Sequence, residues 1–368
     1  MTSDRDLARW RLHSQRLAAP VADAEQVVSS LLGVQAENPS QSAWAVATRT
    51  TTPSRADLAA AIASGRVLRT HALRPTWHYV HADDAAWLLE LTAPRVLPVV
   101  DQQLRPLAER MTQLTDAVLS ILAEAPDRTR SDLASELADR GMELTGQQLM
   151  LLLAHLELHA LVCSGQPREE EHTYALFADR VRVTRRLDRD EALAELALRY
   201  FTSHGPATDR DLAYWATLTL GDVRRGIAGA AAGLASFEHD GRTFRHARGD
   251  LPDERPEAAA PSAHLLQVLD EMYRGYQDSR WLIDAEGLAS RARESAIGMA
   301  LVDAQLVAGM RRTIGTRAVT FELHPLRGLR AHELASIHEA AERYAAYLGL
   351  EPQLRLEDPA PVPDAPRT

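Results

Sequence analysis

The sequence predicts a mainly α protein with small sheets, of the α+β class, in which one pattern occurs three times before a β-rich C-terminal domain. Amphipathic helix patterns, each followed by two short extended runs, recur three times between residues 24 and 246. After a proline- and alanine-rich stretch at residues 252–261, which is typical of a linker, the pattern changes to extended runs and one closing helix. A chain of 368 residues is also too long for one ordinary core, which favours several modules.

The first unit is predicted to occupy residues 1–110. Its helices are expected at residues 24–33, 55–64 and 83–91, with two extended runs within residues 67–80. Gly65 is suited to end the second helix, because glycine readily adopts the positive φ found after a helix C-terminus. A helix that leads into paired strands is the element order of a winged-helix domain, so the first unit is predicted to have that fold.

The second unit is predicted to occupy residues 111–185 and to repeat this order. Its helices are expected at residues 114–124, from Ser131 onward and at 145–159, and its paired strands at 161–164 and 174–177. The helix at 145–159 occupies the position of a recognition helix, but its leucines indicate that much of it is core. Between the strands, the acidic loop that ends at His172 is expected to be solvated rather than metal-bound.

The third unit and the C-terminal domain are predicted to occupy residues 186–252 and 253–350. Helices of the third unit are expected at 193–203, 209–216 and 220–231, followed by strands at 234–237 and 243–245 that are turned by Asp240-Gly241. In the C-terminal domain, strands are expected at 264–269, 299–307, 310–314 and 319–323, and a helix at 333–348. Residues 351–368, rich in proline and acid, are predicted to be a disordered tail.

Composition restricts the class of protein. The net charge of −10 argues against a uniformly basic, histone-like surface, although a local positive face is compatible with it. No apolar run approaches the ~20 residues of a membrane span, and the first residues do not form a signal peptide, so a cytoplasmic protein is expected. The single cysteine, Cys163, excludes an intramolecular disulfide and a multi-cysteine zinc site, and its strand-like neighbours predict a buried thiol.

The segment GVQAENP at residues 33–39 places an amide and a carboxylate two residues apart where an aliphatic helix ends. Pro39 disfavours the α conformation at Asn38, so the segment is expected to be extended, and the side chains of Gln35 and Glu37 then project the same way. An amide and a carboxylate in this arrangement are suited to bind one small molecule together. In the alternative interpretation, Glu37 is a solvated charge at a helix end and Gln35 is a satisfied capping side chain.

Four groups of motifs then follow in order along most of the chain. They are residues 33–47 with LRPTWHYV at 73–80, LVCSG at 161–165 with TYAL at 173–176, HGPAT at 204–208 with Asp211 and Trp215, and DEMY at 270–273 with DSR at 278–280. In this combination and order the chain resembles the winged-helix DNA-binding family that includes the AlkZ-like alkylpurine and interstrand-crosslink DNA glycosylases. The resemblance implies a protein that binds double-stranded DNA.

The glycosylases that the chain resembles have a catalytic motif of glutamine, an aliphatic residue, and then glutamine in one branch or aspartate in another. The matching positions here are Gln35, Ala36 and Glu37, so Glu37 departs from both branches. A carboxylate at this position can orient and deprotonate water and stabilise the oxocarbenium sugar, while Gln35 fixes the water or the sugar. Because glutamate is one methylene longer than aspartate, a branch that binds DNA without cleaving it is the alternative.

The sequence contains no lysine, and all 41 basic residues are arginine. A lysine Schiff base to an opened sugar, as bifunctional glycosylase-lyases use, is therefore excluded, and so is a Walker-type phosphate loop. Only a free terminal amine could take the place of the lysine. Any base excision is expected to be monofunctional, with water as the nucleophile and with neither metal nor cofactor.

Six further residues are predicted to bind the substrate or DNA. They are Asn38, Trp44, Trp77, His78, Arg311 and Arg312. The tryptophans are suited to stack on an extruded base, but aromatic residues at these spacings often belong to the core, which is the interpretation for Trp87. His78 is alternatively a strand anchor held by hydrogen bonds.

Arg311 and Arg312 lie beside a predicted hairpin turn, near the place where the resemblance implies a hairpin that faces DNA. A solvated pair of arginines is the alternative. The polar cluster at residues 270–280 is explained either by an internal salt-bridge network or by a site.

The sequence thus predicts a monomeric, cytoplasmic, nucleoid-associated DNA-binding protein that hydrolyses the N-glycosidic bond of alkylated purines or unhooks N7-linked crosslinks. The first alternative is a non-catalytic winged-helix DNA-binding protein, either a damage sensor or a transcriptional regulator. The second is a protein-interaction module that has lost its DNA-binding face.

Overall fold

The computed structural model describes residues 3–169, 171–182, 185–249, 262–289 and 298–357. Helices predominate among these residues and are accompanied by four sheets of two to five strands, so the predicted α+β class is confirmed. The linker predicted at residues 252–261 lies outside the described residues. Within the described ranges, no helix combines the length and the apolar character that are needed to cross a bilayer.

The first segment contains two helices that the sequence analysis did not predict. Ser3 and Asp6 form a capping box at the start of the first of them. Asn38 is extended as predicted, with φ −111° and ψ 105°, but Pro39 begins the second of them because the φ of proline is already helical. The elements are α1 (Asp4–Ser14), α2 (Ala24–Leu31), β1 (Val34–Gln35), α3 (Pro39–Ala47), α4 (Arg55–Ala63), β2 (Val67–His71) and β3 (Trp77–His81).

The helix that connects the first and second segments, α5, is much longer than the helix predicted at residues 83–91. The described elements are α5 (Ala82–Leu104), α6 (Met111–Glu124), β4 (Arg128–Thr129), α7 (Arg130–Asp139), α8 (Gly146–Leu158), β5 (Val162–Ser164), β6 (Thr173–Leu176) and α9 (Phe177–Arg180). Both α7 and α8 begin with capping boxes, formed by Thr129 and Asp132 and by Thr145 and Gln148. The centroids of the His172 and Trp77 rings lie 5.7 Å apart, so His172 packs against Trp77. The expectation of a wholly solvated loop is therefore wrong at this residue.

The third segment repeats the order of helices and hairpin. Its elements are α10 (Arg189–Ser203), α11 (Asp209–Trp215), α12 (Leu220–Gly229), β7 (Leu234–His239) and β8 (Arg242–Ala247). Asp240 and Gly241 both have positive φ, at 46° and 67°, as the predicted two-residue hairpin turn requires.

The C-terminal domain differs from its prediction in two places. Its elements are β9 (Ala263–Leu266), α13 (Glu271–Arg274), β10 (Gly298–Val302), β11 (Gln305–Ile314), β12 (Ala318–Pro325), α14 (Ala331–Leu348) and β13 (Glu351–Leu356). The single strand predicted at 299–307 is wrong, because Asp303 and Ala304, with φ of 52° and 61°, turn the chain between β10 and β11.

The prediction that the chain is disordered from residue 351 is also wrong for the described residues. Residues 351–356 form β13, which pairs in parallel with β12 at the edge of the sheet ordered β13-β12-β11-β10-β9. Pro352 is compatible with this position because an edge strand leaves one side without ladder hydrogen bonds. Residues 358–368 lie outside the described residues.

The first three segments share one topology. In the first, β1 pairs with β3, the second strand of the β2–β3 hairpin, and in the second, β4 pairs in the same way with β6. In the third, Ala207 forms a bridge with Arg245 of β8, the second strand of that hairpin. Each segment therefore contains a helix, a short extended piece, two helices and a hairpin whose last strand pairs with the extended piece.

The first and third segments also share a hydrophobic core. Leu73 and Trp87 lie in the same buried cluster as Tyr200, Trp215 and Tyr276, and Trp87 is core as predicted. Gly33 permits the close approach of β1 to this cluster. A Cβ at Gly33 would lie 2.8 Å from Leu73 Cδ1, so even alanine would force a neighbour to shift. The shared core brings α11 and α13 beside β1.

Helix α1 is fixed to the same region by two buried polar side chains. The guanidinium of Arg11 donates to the carbonyl oxygens of Pro206 and Ser279, at 2.9 and 3.0 Å. Gln15 donates from Nε2 to the carbonyl oxygen of Glu271 at 3.1 Å. Since buried donors that are satisfied fix their partners in place, α1 holds the start of α13 in position.

An ion pair without solvent exposure connects the first segment to the C-terminal domain. Arg49 and Asp270 are both 0% exposed, and the two Nη atoms of Arg49 meet the two carboxylate oxygens of Asp270 at 2.8 and 2.9 Å. Asp270 also accepts the Met272 N–H at the start of α13. Removal of one partner of such a pair leaves a buried charge without compensation.

Asp270→Ala is therefore expected to destabilise the protein by about 3–5 kcal/mol. Urea unfolding curves followed by far-ultraviolet circular dichroism measure the effect. The matched control is Glu124→Ala, because Glu124 is exposed at the end of α6 and pairs with Arg140, and its loss is expected to stay within about 0.5 kcal/mol. Equal shifts of the two midpoints would contradict the prediction.

Candidate active site

Gln35 is held from two sides near the end of β1. Its side chain is 6% exposed, and its backbone N–H donates to Glu271 Oε1 at 2.9 Å. Its Oε1 accepts a hydrogen bond from Arg74 Nη2 at 3.0 Å. Among the described residues, the amide nitrogen Nε2 has no hydrogen-bond partner. The side chain therefore has a fixed orientation and retains a donor that a bound molecule can use.

His78 lies beside this pair because β1 and β3 are in register at Gln35 and His78. His78 is fully buried, its Nδ1 lies 3.0 Å from the Thr76 carbonyl oxygen, and its Nε2 lies 3.3 Å from Arg74 Nη2. Burial, followed by the charge of Arg74, lowers the pKa of His78 to about 3. The imidazole is neutral near neutral pH, donates from Nδ1 and accepts at Nε2. His78 therefore orients Arg74, and its contact with DNA remains a prediction.

Glu271 is the buried counter-charge of this arrangement. Its Oε2 accepts the Trp215 indole N–H at 3.0 Å and faces His204 Nε2 at 3.4 Å. Burial opposes ionisation, but the hydrogen bond from His204 and the charge of Arg74 outweigh it and lower the pKa of Glu271 to about 2. The polar cluster at residues 270–280 is visible in the sequence, but no sequence signal connects it to Gln35.

Glu37 lies at the exposed end of the same segment. Its Oε2 accepts the backbone N–H of Trp77 at 3.2 Å, and the carbonyl oxygen of Ala36 accepts Arg69 Nε at 2.9 Å. Gln35 and Glu37 thus rest against consecutive residues of β3, one buried and one accessible to solvent. This arrangement supplies a fixed amide and a carboxylate that water can reach.

Trp77 is fixed by the second segment. Its indole Nε1 donates to Glu157 Oε2 at 3.1 Å, and Glu157, which is fully buried in α8, also contacts His71. The Arg69 guanidinium lies 3.9 Å from the centroid of the indole ring and covers it. Trp77 is half-buried, and in this structure it anchors the backbone N–H that holds Glu37.

Trp44 is not available to a substrate. It is 1% exposed, its indole Nε1 donates to the Leu265 carbonyl oxygen at 2.7 Å, and its ring stacks on Tyr344 with 3.9 Å between the ring centroids. The contact of Trp44 with a base remains a prediction, and this burial argues against it. Residues of the C-terminal sheet and of α14 cover the ring, and the sequence of α3 alone does not reveal this contact.

The hairpin that contains Arg311 and Arg312 lies next to the segment of Glu37. Arg312 Nη2 donates to Ser40 Oγ at 3.1 Å, and Ser40 Oγ donates to Asn38 Oδ1 at 3.0 Å. Arg312 is thus partly occupied by α3 and by the hydroxyl of Tyr344. Arg311 and Asn38 are both exposed, but the side chain of Arg311 projects from the face of β11 opposite to that of Arg312. The structure brings Glu37, Asn38 and the hairpin together.

A cavity of about 630 Å³ lies elsewhere, in the third segment. Arg210, Arg224, Arg242 and Asp278 are among its lining residues, whereas Gln35 and Glu37 are not. In the described part of the chain, no cluster of three or more histidine, cysteine or acidic side chains is arranged to hold a metal ion. Cys163 is buried as predicted, and burial raises its pKa to about 12.

Comparisons with known proteins identify the class of protein to which this chain belongs. A family model described as DNA glycosylase AlkZ-like matches residues 28–347. The chain belongs to the AlkZ-like DNA glycosylase family.

Two relatives carry the comparison further. The chain is 26% identical over 232 residues to the interstrand DNA cross-link repair glycosylase of Streptomyces sahachiroi, in an alignment that covers 58% of this chain and 60% of the relative. The alignment thus spans less than two thirds of that relative. The structure is also similar to Streptomyces sahachiroi DNA glycosylase AlkZ, with a TM-score of 0.75 and 21% identity, over 96% of this chain and 99% of the other. This similarity shows a shared fold.

Proposed function

We propose that this protein is a monofunctional DNA glycosylase that hydrolyses the N-glycosidic bond of an alkylated purine, or unhooks an N7-linked crosslink, in duplex DNA. Family membership supports a glycosylase. The observation that carries the proposal is the pairing of Gln35, fixed by Arg74 with its amide nitrogen left over, with the solvent-exposed carboxylate of Glu37. The relative from Streptomyces sahachiroi is described as a cross-link repair enzyme, which supports the same class of substrate.

The proposed mechanism needs one water molecule and no lysine. An N7-alkylated purine carries a positive charge, so it leaves with the electron pair of the glycosidic bond as a neutral base without strong acid catalysis. Glu37 stabilises the oxocarbenium sugar and takes a proton from water as the water oxygen bonds to C1′. Gln35 donates from Nε2 to that water or to the sugar. Since the chain has no lysine, strand cleavage through a lysine Schiff base does not follow.

The three segments of common topology are proposed to be three tandem winged-helix units, at residues 1–110, 111–185 and 186–252, that hold duplex DNA. Their shared order of helix, extended piece, two helices and hairpin supports this assignment. The exposed Arg311 and the neighbouring Asn38 are proposed to contact DNA beside Glu37. With a net charge of −10, affinity for DNA depends on such local arginines rather than on the whole surface. A cytoplasmic monomer is proposed.

The second candidate is a DNA-binding protein without catalytic activity. Two observations favour it: the side chain of Gln35 is only 6% exposed, and Glu37 accepts a structural hydrogen bond from Trp77. In this case the motif maintains the fold between β1 and β3.

The deciding experiment incubates the purified protein with a duplex that contains one N7-methylguanine, and with a second duplex that contains an N7-linked crosslink. Heating in alkali then converts each abasic site into a strand break. We expect alkali-dependent breaks at the lesion, no breaks without alkali, and no covalent product after borohydride reduction. Salt-dependent binding of the duplex without base release would support the second candidate. The absence of both binding and release would leave the interaction module.

A further inference from the structure

Three arginines surround Tyr214 immediately beside Gln35. Arg74, which donates from Nη2 to Gln35, donates from Nη1 to the Arg274 carbonyl oxygen at 3.0 Å. The guanidinium carbons of Arg74 and Arg280 lie 5.6 and 6.0 Å from the centroid of the Tyr214 ring. Arg274 lies close enough to the Tyr214 hydroxyl to help lower its pKa. We call Tyr214, Arg74, Arg274 and Arg280 the arginine patch.

The arginine patch has an excess of positive charge. Within the described residues, none of Arg74, Arg274 and Arg280 forms an ion pair, and the buried carboxylate of Glu271 balances the charge of Arg74 from a longer distance. Burial raises the pKa of Tyr214, but Arg74, Arg274 and Arg280 outweigh it and lower the pKa overall. Arg274 and Arg280 have no described carboxylate at ion-pair distance, and an anion bound between these like charges reduces their repulsion.

Two of the arginines are held in position before any ligand binds. Arg280 donates from Nε to the Tyr273 carbonyl oxygen at 2.9 Å and from Nη2 to the Tyr276 carbonyl oxygen, and its guanidinium lies 4.0 Å from the centroid of the Tyr273 ring. Arg74 is held by Gln35 Oε1 and by the Arg274 carbonyl oxygen, both at 3.0 Å. The Nε of Arg274, in contrast, is buried without a hydrogen-bond partner in the described part of the chain. These contacts leave guanidinium N–H groups of fixed orientation. Less side-chain entropy is therefore lost when a ligand binds.

We infer that the arginine patch binds the phosphodiester next to the nucleotide whose base is released. This inference rests on the proposed glycosylase function, because it places the phosphate by its distance from Gln35. The planar fork of arginine suits two phosphate oxygens, and the Tyr214 hydroxyl supplies a further donor. The phosphate also shields the oxocarbenium sugar from the three guanidinium charges. The patch therefore positions the sugar, whereas Gln35 and Glu37 act on it.

The test combines protein variants with uncharged linkages in the DNA. Duplexes carry a 2′-fluoro-stabilised N7-methylguanine, and each flanking phosphodiester is replaced in turn by a methylphosphonate. For the wild-type protein, one flanking replacement is expected to weaken binding by roughly tenfold to a hundredfold, and a replacement five base pairs away much less. Arg274→Gln is expected to cause a similar loss on unmodified DNA and little further loss at the sensitive linkage.

Tyr214→Phe, which removes only one hydroxyl, provides a second variant if Arg274→Gln does not fold. It is also expected to cause little further loss of binding when the sensitive linkage is uncharged. Both variants should raise KM by a larger factor than they lower kcat on N7-methylguanine DNA. The matched control is Arg5→Gln. Arg5 lies on α1 and is already paired with Glu286, so this variant should change neither constant.

If the affinity loss caused by a variant and the loss caused by a methylphosphonate are independent at every linkage, the inference is overturned. The glycosylase proposal would remain intact. A wild-type protein that neither binds nor cleaves the lesion would overturn the glycosylase proposal itself, and the phosphate site with it. Coupling that is confined to one flanking linkage would establish the site.

Discussion

Replacement of Glu37 by alanine is expected to lower the rate of base release by about 100-fold or more, because alanine neither takes a proton from water nor balances an oxocarbenium charge. The Trp77 N–H, which Glu37 accepts at 3.2 Å at the exposed end of the segment, can then be hydrated. The fold should therefore be unaffected. Single-turnover rates with N7-methylguanine DNA at saturating protein measure the chemical step without product release.

Glu37→Asp is the informative companion to this variant. Aspartate occurs at the matching position in one branch of the glycosylases that the chain resembles, but here it withdraws the carboxylate by ~1 Å, for which a loss of up to ~100-fold is expected. A matched control is Glu90→Ala, since Glu90 is exposed on α5 and away from the motif. If Glu37→Ala releases base at the wild-type rate while DNA binding is unchanged, Glu37 is not the base and the proposed mechanism fails.

Glu271→Gln is expected to destabilise the protein as strongly as Asp270→Ala, with a loss of about 3–5 kcal/mol. Both carboxylate oxygens of Glu271 accept hydrogen bonds from donors, namely the Gln35 N–H, the Trp215 indole and His204. A glutamine amide would direct its own donors at one of them. The charge that balances Arg74 would be lost as well, and the position of Gln35 would change, so base release should fall together with the unfolding midpoint.

The same carboxylate gives the wild-type protein a defined acid sensitivity. The folded state lowers the pKa of Glu271 from its ordinary 4.5 to about 2, so its stabilising effect is complete above pH 4.5. This effect, on the order of 3 kcal/mol, is lost as the pH falls from about 4.5 to about 2. Urea midpoints measured between pH 7 and pH 3 should fall less steeply for Glu271→Gln than for the wild-type protein. Parallel curves would exclude Glu271 as the source of the acid sensitivity.

The helices and hairpins of the first three segments were largely predictable because their signals are local. The repeated helix patterns and the Asp240-Gly241 turn report on short stretches of backbone. Capping residues such as Thr145 and Gln148 add a boundary signal of the same kind. Errors occurred where weak local signals competed. Asp303-Ala304 is an unusual turn sequence, and Pro352 suggested disorder where a strand pairs at a sheet edge.

The sequence by itself determined the α+β class, the helix order, the motif of Gln35 and Glu37 and the absence of lysine, since each is a property of neighbouring residues or of composition. Only the tertiary structure decided which side chains surround that motif. Glu271 reaches Gln35 across 236 positions in the chain, and Trp44 is covered by residues more than 200 positions away. Such contacts arise because burial of apolar surface packs distant segments together, and a buried polar group must then bond to whichever partner that packing brings close.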